Sequence, residues 1–154
     1  DNLLSRGLGD VYKRQVMLAA MIPIGTALQT TGVSSLIATS ISTYASSLSL
    51  FWILLIILIV TMVTTDIINN AATAVIMAPI STGIALELGY AIEPFLMVVA
   101  VGASCAFLTP IGHQCNTVVM GPGNYKFTDY WRMGLPMDIL IILASIPMIL
   151  FVWT

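Results

Sequence analysis

The chain consists of long apolar runs separated by short polar breaks. The apolar runs cover residues 17–29, 33–48, 50–65, 71–88, 95–108 and 135–153. An α-helix needs about 20 apolar residues to cross the hydrocarbon core of a bilayer, and several runs approach that length. The run at 33–48 is rich in Ser and Thr but keeps a helical apolar period, which suits close packing on other helices. The pattern predicts an all-α polytopic membrane protein with about five or six crossings or half-crossings.

Residues 50–88 form a predicted helical hairpin with a polar tip. Two apolar arms of 16 and 18 residues, short for a full crossing, flank a tight turn at Asp66–Asn70. Two interpretations stay open. An ordinary hairpin places this turn in water, whereas a re-entrant hairpin stops near mid-membrane, where non-helical backbone must line a cavity or be buried in protein. The small residues Ala71–Ala74 behind the tip permit close packing in the second case.

Residues 95–120 form a predicted broken helix. The apolar run 95–108 stops at Thr109–Asn116, and a short apolar stretch follows. Pro110 removes a backbone donor and Gly112 permits unusual backbone angles, so the helix should unwind here. In transporters, broken helices bind cations through freed carbonyl groups and anions through half-helix N-termini. A hairpin tip and a broken helix are what one repeat of such a transporter should contain.

The composition restricts the class of protein further. Of the residues, 58% are hydrophobic and 8% are charged, and the mean hydropathy is +1.01. Soluble domains carry about 25% charged residues, so a water-soluble globular fold is excluded. Five Lys and Arg residues in all argue against a nucleic-acid partner, and two Cys residues against a disulfide scaffold. Cys105 and Cys115 are interpreted as packing residues, and no cofactor is expected.

The first fifteen residues are unlike the rest. Residues 5–15 back-translate, codon by codon, into a string that resembles a widely used transposon-based sequencing adapter, and residues 1–4 fit the bases before it. We interpret residues 1–15 as translated adapter and exclude them from the fold. A basic cytoplasmic tail is the alternative. The natural chain is then expected to begin at Val16 in mid-protein, as the C-terminal half of a longer transporter.

Charge placement predicts the orientation. Lys126 and Arg132, the basic residues that follow the first fifteen positions, share one loop, whereas Glu87 and Glu93 share the loop at the other end of the broken helix. The positive-inside rule places residues 121–134 on the cytoplasmic side of an inner membrane and residues 87–94 on the other side. The hairpin then enters from outside, and the C-terminus is periplasmic.

Two motifs resemble signatures of the divalent anion:sodium symporter family. Residues 65–80 include T-D-I-I-N-N-A-A-T-A and A-P-I, and they are similar to the hairpin-tip pattern T-E-x-x-S-N-x-A-T-A…P-I. Residues 106–117, A-F-L-T-P-I-G-H-Q-C-N-T, resemble the unwound part of the following helix. The tail at 121–136 is similar to that of the sulfate-permease-like branch. The resemblance covers residues 16–154.

The resemblance implies a homodimeric secondary transporter built from two inverted repeats, each with a re-entrant hairpin and a broken helix. The substrate, a small divalent anion, sits between two hairpin tips and beside sodium sites, and this domain moves like an elevator. Only the C-terminal repeat is present here. Three departures bear on specificity: Asn69 replaces Ser, Ala71 replaces a frequent Thr, and residues 113–116 replace Thr-Pro-Pro-Asn.

The resemblance also assigns candidate site residues. Substrate contacts are expected from Asn69, Asn70, Ala71, His113, Gln114 and Asn116. Sodium is expected at Asn69, Asn70, Ala71, Gly112 and His113, largely through backbone oxygens. A turn-forming role for the Asn residues and a merely structural role for His113 are the alternatives. For Asp66 we prefer a structural role that caps the hairpin, although an intramembrane acid can also bind a cation.

The leading functional hypothesis is sodium-coupled import of sulfate or a dicarboxylate. An arsenite transporter or a proton-coupled antiporter of similar architecture is the related alternative. An intramembrane enzyme that uses Asp66 or His113 is the alternative of another class, and no paired metal-ligand spacing supports it. A passive membrane anchor would gain nothing from an unwound helix. We therefore expect a transporter rather than an enzyme.

Overall fold

The computed structural model describes residues 48–68 and 70–153, together with isolated positions between 16 and 40. The interpretations of residues 1–15, of the runs 17–29 and 33–48, and of Asn69 lie outside the described residues. Within the described part the helices are α1 Leu50–Ile67, α2 Asn70–Leu88, α3 Glu93–Ser104, α4 Gln114–Met120 and α5 Phe127–Trp153. That part contains no strand. The expected all-α polytopic fold is confirmed, since α1, α2 and α5 are each long and apolar enough to cross a membrane.

The hairpin consists of α1 and α2, joined through residues 68 and 69. The two helices pack on each other and both pack along α3. They contain 18 and 19 residues, which corresponds to roughly 27–29 Å at 1.5 Å per residue. Their length is close to the roughly 30 Å thickness of bilayer hydrocarbon, so the arms are longer than the apolar runs predicted. Length alone therefore does not distinguish a re-entrant from an ordinary hairpin.

Helix α3 lies at the centre of the described structure and contacts α1, α2 and α5. Its side chains Phe95 and Val98 are fully buried, together with Leu54 and Leu58 of α1. A Cβ atom built on Gly102 would lie only 2.9 Å from the Thr61 Cβ, so a glycine is required for this close helix contact. Small residues at helix interfaces serve this purpose in membranes, where packing drives helix association.

The broken helix is confirmed. Helix α3 ends at Ser104 after 12 residues, and α4 resumes for 7 residues at Gln114, with a non-helical segment, residues 105–113, between them. Twelve residues span about 18 Å, which is too short to cross the hydrocarbon core. The chain therefore leaves the helical conformation after less than the length of a full crossing.

Helix α5 begins earlier than the apolar pattern predicts. The pattern places the last span at residues 135–153, but the helix starts at Phe127. The side chain of Asp129 accepts a hydrogen bond from the backbone N–H of Lys126 at 2.8 Å, and this capping contact stabilises the first turn. Residues 127–134, which precede the apolar run, are therefore helical as well.

Candidate functional site

The hairpin tip contacts the unwound segment through Asp66. One carboxylate oxygen of Asp66, Oδ1, accepts a hydrogen bond from the backbone N–H of Leu108 at 3.1 Å. The backbone oxygen of Asp66 accepts a second hydrogen bond, from the Thr109 hydroxyl at 2.7 Å. Asp66 therefore has a structural role, as expected. Its side chain binds the unwound segment, however, and does not cap its own hairpin.

Gly112 lies directly against the tip. A Cβ atom at this position would be 3.1 Å from both the Thr65 carbonyl oxygen and the Asp66 Cα, and 2.9 Å from the Ala106 Cβ. Two of these three atoms belong to the backbone of the tip, so a larger residue at position 112 would push the tip and the unwound segment apart. Gly112 is buried, and its close approach brings backbone groups of both segments together.

Thr65 connects the tip to the end of α3. Its fully buried hydroxyl lies 3.0 Å from the Asn70 side-chain oxygen and 3.0 Å from the Ala103 carbonyl oxygen, so its single proton is shared between these two acceptors. This contact fixes the amide of Asn70, whose nitrogen donates to none of the described residues. An amide nitrogen can donate to an anion, and this role of Asn70 stays a prediction.

The side chain of Asn116 donates hydrogen bonds to the backbone of the unwound segment. Its side-chain nitrogen donates to the Ala106 carbonyl at 2.8 Å and to the Thr109 carbonyl at 3.2 Å. The hydroxyl of Tyr130 donates to the backbone oxygen of Asn116 at 2.7 Å. Both amide protons of Asn116 are therefore used within the protein. A ligand would meet the amide oxygen of Asn116 instead, which suits a cation better than an anion.

His113 precedes α4 as its N-cap. The backbone N–H of Cys115 donates to His113 Nδ1 at 3.2 Å, so the neutral ring carries its proton on Nε2. The His113 side chain is exposed, and Nε2 can donate outward. Gln114 is the first residue of α4, and its side chain lies outside the described atoms, as does all of Asn69.

The structure thus brings part of the expected site together. Thr65 contacts both Asn70 and Gly112, one through its hydroxyl and the other through its carbonyl, and half-buried Ala71 follows Asn70 on the chain. Asn116 belongs to the same unwound segment. The roles of these residues in binding stay predictions.

Three residues with notable contacts or burial were not predicted from the sequence as site residues: Thr65, Thr109 and Asp138. The two Thr hydroxyls act through a fold that no local pattern reveals. Asp138 carried a signal, since an acid inside an apolar span is a functional candidate. Among the described residues, three buried side-chain oxygens have no hydrogen-bond partner: Asp66 Oδ2, Thr73 Oγ1 and Asp138 Oδ1.

We expect Thr65→Val to lower the thermal stability of the protein by destabilising the hairpin tip. Valine keeps the shape but leaves the buried Ala103 carbonyl without its hydroxyl donor, at a cost of about 1–3 kcal/mol. Thr64→Val is the matched control, because the Thr64 hydroxyl only donates to Val60 of its own helix. Thermal unfolding in detergent should show a lower Tm for Thr65→Val alone. An equal Tm in both variants would contradict the role of Thr65.

Apolar helices of spanning length, a helix broken inside the bundle and a polar tip held against the break define a polytopic membrane transporter. Comparison with known families agrees. The profile of the sodium:sulfate symporter transmembrane region matches residues 12–154. The chain belongs to this family, and the resemblance found in its motifs is confirmed.

Three curated relatives illustrate the range of the family. An uncharacterized transporter of Synechocystis is 37% identical over 137 residues, which is 89% of this chain and 22% of the relative. Sodium/sulfate cotransporter 2 of Chlamydomonas reinhardtii is 29% identical over 88% of this chain and 15% of its own length. A sodium-dependent dicarboxylate transporter of Staphylococcus saprophyticus is 28% identical over 56% of this chain and 17% of its own length. The chain therefore spans about a fifth or less of each relative's length.

Proposed function

We propose that this chain is the C-terminal part of a longer permease, which imports a small divalent anion with sodium. The observation that carries the proposal is the contact between the hairpin tip and the unwound segment, made by Asp66 and Gly112. Family membership supports transport, and the names of two relatives, a sodium/sulfate cotransporter and a sodium-dependent dicarboxylate transporter, support sodium coupling.

The register of α1 on α3 supports a tip at mid-membrane depth. The hydroxyl of Thr65 bonds to Ala103, ten residues after Glu93, the exposed acid at which α3 begins. Ten residues of helix correspond to about 15 Å, half of the roughly 30 Å hydrocarbon thickness. The outer end of α1 then reaches the interface, where its exposed Phe51–Trp52 pair suits the aromatic belt. We therefore favour the re-entrant hairpin.

Sodium fits the tip because the groups there are oxygen donors. In our proposal the ion lies between Asn69, Asn70 and Ala71 on the tip and Gly112 and His113 on the unwound segment, bound largely by backbone oxygens. The contact of Gly112 with Thr65 supports this arrangement. Unwound backbone at membrane depth binds sodium in this way in other transporters.

The anion must be bound without a basic side chain from this part of the permease. Among the described residues the only Lys and Arg are Lys126 and Arg132, both exposed at the start of α5. Amide donors such as Asn70, together with bound sodium, would therefore hold the substrate. Asn69, Ala71, His113 and Gln114 complete the proposed anion contacts. Asn116, expected from the sequence as a further contact, uses its amide nitrogen within the protein and could reach the anion only through bound sodium. Sulfate is our first choice, because the tail at 121–136 resembles the sulfate-permease-like branch, and a dicarboxylate is the second.

The proposal includes the arrangement in the inner membrane. Lys126 and Arg132 lie on the cytoplasmic side by the positive-inside rule, and Glu87, Glu93 and the C-terminus lie on the periplasmic side. An N-terminal repeat of the same permease supplies a second tip, and two permeases form a homodimer.

Uptake by the purified, complete permease in lipid vesicles tests the function. We expect an inward sodium gradient to drive accumulation of radiolabelled sulfate, and a potassium gradient to drive none. Unlabelled succinate should inhibit the uptake of radiolabelled sulfate weakly if sulfate is the substrate, and strongly if the substrate is a dicarboxylate. Uptake that is independent of sodium, or driven by protons alone, would contradict the proposed coupling.

A further inference from the structure

Helix α5 carries a buried acid that the proposed tip site does not use. The Asp138 side chain is only 7% exposed, although it lies in a helix that is otherwise apolar over this stretch. It shares its helix face with Gly134, four residues earlier, and both residues are buried. The Oδ1 oxygen of Asp138 has no hydrogen-bond partner among the described residues.

The packing of Gly134 places Asp138 near Asp66. A Cβ atom on Gly134 would lie 2.5 Å from the Phe107 carbonyl oxygen and 3.1 Å from the Leu108 nitrogen. That same Leu108 N–H donates to Asp66 Oδ1. The α5 face that includes Asp138 therefore packs on the same unwound backbone that contacts Asp66. Asp66 and Asp138 lie on α1 and α5, two helices that also contact each other directly.

Two buried acids are stable only if they are protonated or lie beside a counter-charge. Asp66 is 4% exposed and its Oδ2 oxygen has no partner, so each acid presents one unpaired oxygen in the interior. Burial of a carboxylate without a partner is costly, and the cost rises when a second carboxylate lies nearby. The described Lys126 and Arg132 are exposed and cannot supply the charge.

We propose that Asp66 and Asp138 form a cation site separate from the tip site, and that it holds one sodium ion between the hairpin and α5. The ligands are Asp66 Oδ2, Asp138 Oδ1 and backbone oxygens of the unwound segment. The inference rests on the proposed function in taking sodium as the ion.

The site has a consequence for coupling. Because Asp66 belongs to the hairpin and Asp138 to α5, the ion would tie these two elements together. Its binding would add one sodium ion to those bound at the tips. The two acids would thus help to set how many ions accompany each anion.

Direct binding of radiolabelled sodium to the purified, complete permease tests the site. We expect Asp138→Asn to bind one sodium ion fewer per chain than the unaltered permease. Asp66→Asn should lose the same ion, because it removes one of the two carboxylates. Asparagine keeps an oxygen that can accept the Leu108 N–H, so the contact with the unwound segment is preserved. Glu87→Gln is the matched control: it also removes one negative charge, but from an exposed position, and should bind the full number.

The outcomes separate this inference from the proposed function. Sodium binding that is equal in the unaltered permease and in both Asp variants would overturn the Asp66–Asp138 site and leave the tip site standing. Absence of any sodium binding to the unaltered permease would overturn both. If one Asp variant fails to fold, the other decides, since each removes one of the two carboxylates.

Discussion

Loss of the Asn70 amide should raise the KM for the anion by roughly ten- to a hundredfold, or abolish uptake. A hydrogen bond to a charged group contributes about 1.5–3 kcal/mol, and 1.4 kcal/mol is about tenfold in affinity. Thr65 donates toward the oxygen of this amide, and in our proposal the amide nitrogen donates to the anion. Initial rates of sulfate uptake by Asn70→Ala permease, at a saturating sodium concentration, measure the effect.

Asn124→Gly is the control for Asn70→Ala. Asn124 is exposed in the turn before α5 and has φ 50°, a conformation that glycine adopts readily. The control variant should keep the normal KM. Membrane insertion of both variants should match that of the unaltered permease, since neither change adds a charge. Unchanged kinetics in correctly inserted Asn70→Ala protein would remove Asn70 from the site.

Substitution of Gly112 should separate the tip from the unwound segment. In Gly112→Ala the new methyl group would meet the Thr65 carbonyl oxygen and the Asp66 Cα, which can move only if backbone moves. Overpacking of this kind costs about 1–3 kcal/mol. If sodium binds between the two segments, the sodium concentration for half-maximal uptake should rise about five- to a hundredfold.

Gly121→Ala is the matched control for this substitution. Gly121 follows α4 with φ −68° and has no other atom within 4 Å of an added Cβ, so alanine fits there without strain. We expect Gly121→Ala to keep the normal sodium dependence. A shift of similar size in both variants, or in neither, would contradict the arrangement of Gly112 against the tip.

The apolar pattern predicted the hairpin and the broken helix because both depend on local features. Run length limits the arms, and Pro110 and Gly112 unwind the helix whatever surrounds them. The early start of α5 was missed because the capping contact of Asp129 lies in a polar segment outside the apolar run. The arms are also longer than the runs, since the polar residues around the tip continue the helices.

Contacts between distant segments could be predicted only in part. Asn116 was expected to face the substrate, but its amide nitrogen binds two carbonyls of the unwound segment, a use that depends on the bend of that segment. Thr65 and Gly112 meet across more than forty residues of sequence, and periodicity contains no information on such a contact. Asp138 was visible in the sequence, but only its burial next to the segment that holds Asp66 makes it a candidate site.

Solvent access to the hairpin tip tests the central claim most directly. In a complete permease whose other cysteines are replaced, including Cys105 and Cys115, Ala71→Cys places a single thiol on the half-buried tip. Leu143→Cys, on the exposed apolar face of α5, is the control for a position covered by lipid. A membrane-impermeant maleimide should label the tip thiol, and sodium with sulfate should protect it, whereas Leu143→Cys should not react in either condition. Tip labelling that sodium and sulfate leave unchanged would contradict a binding site at the tip.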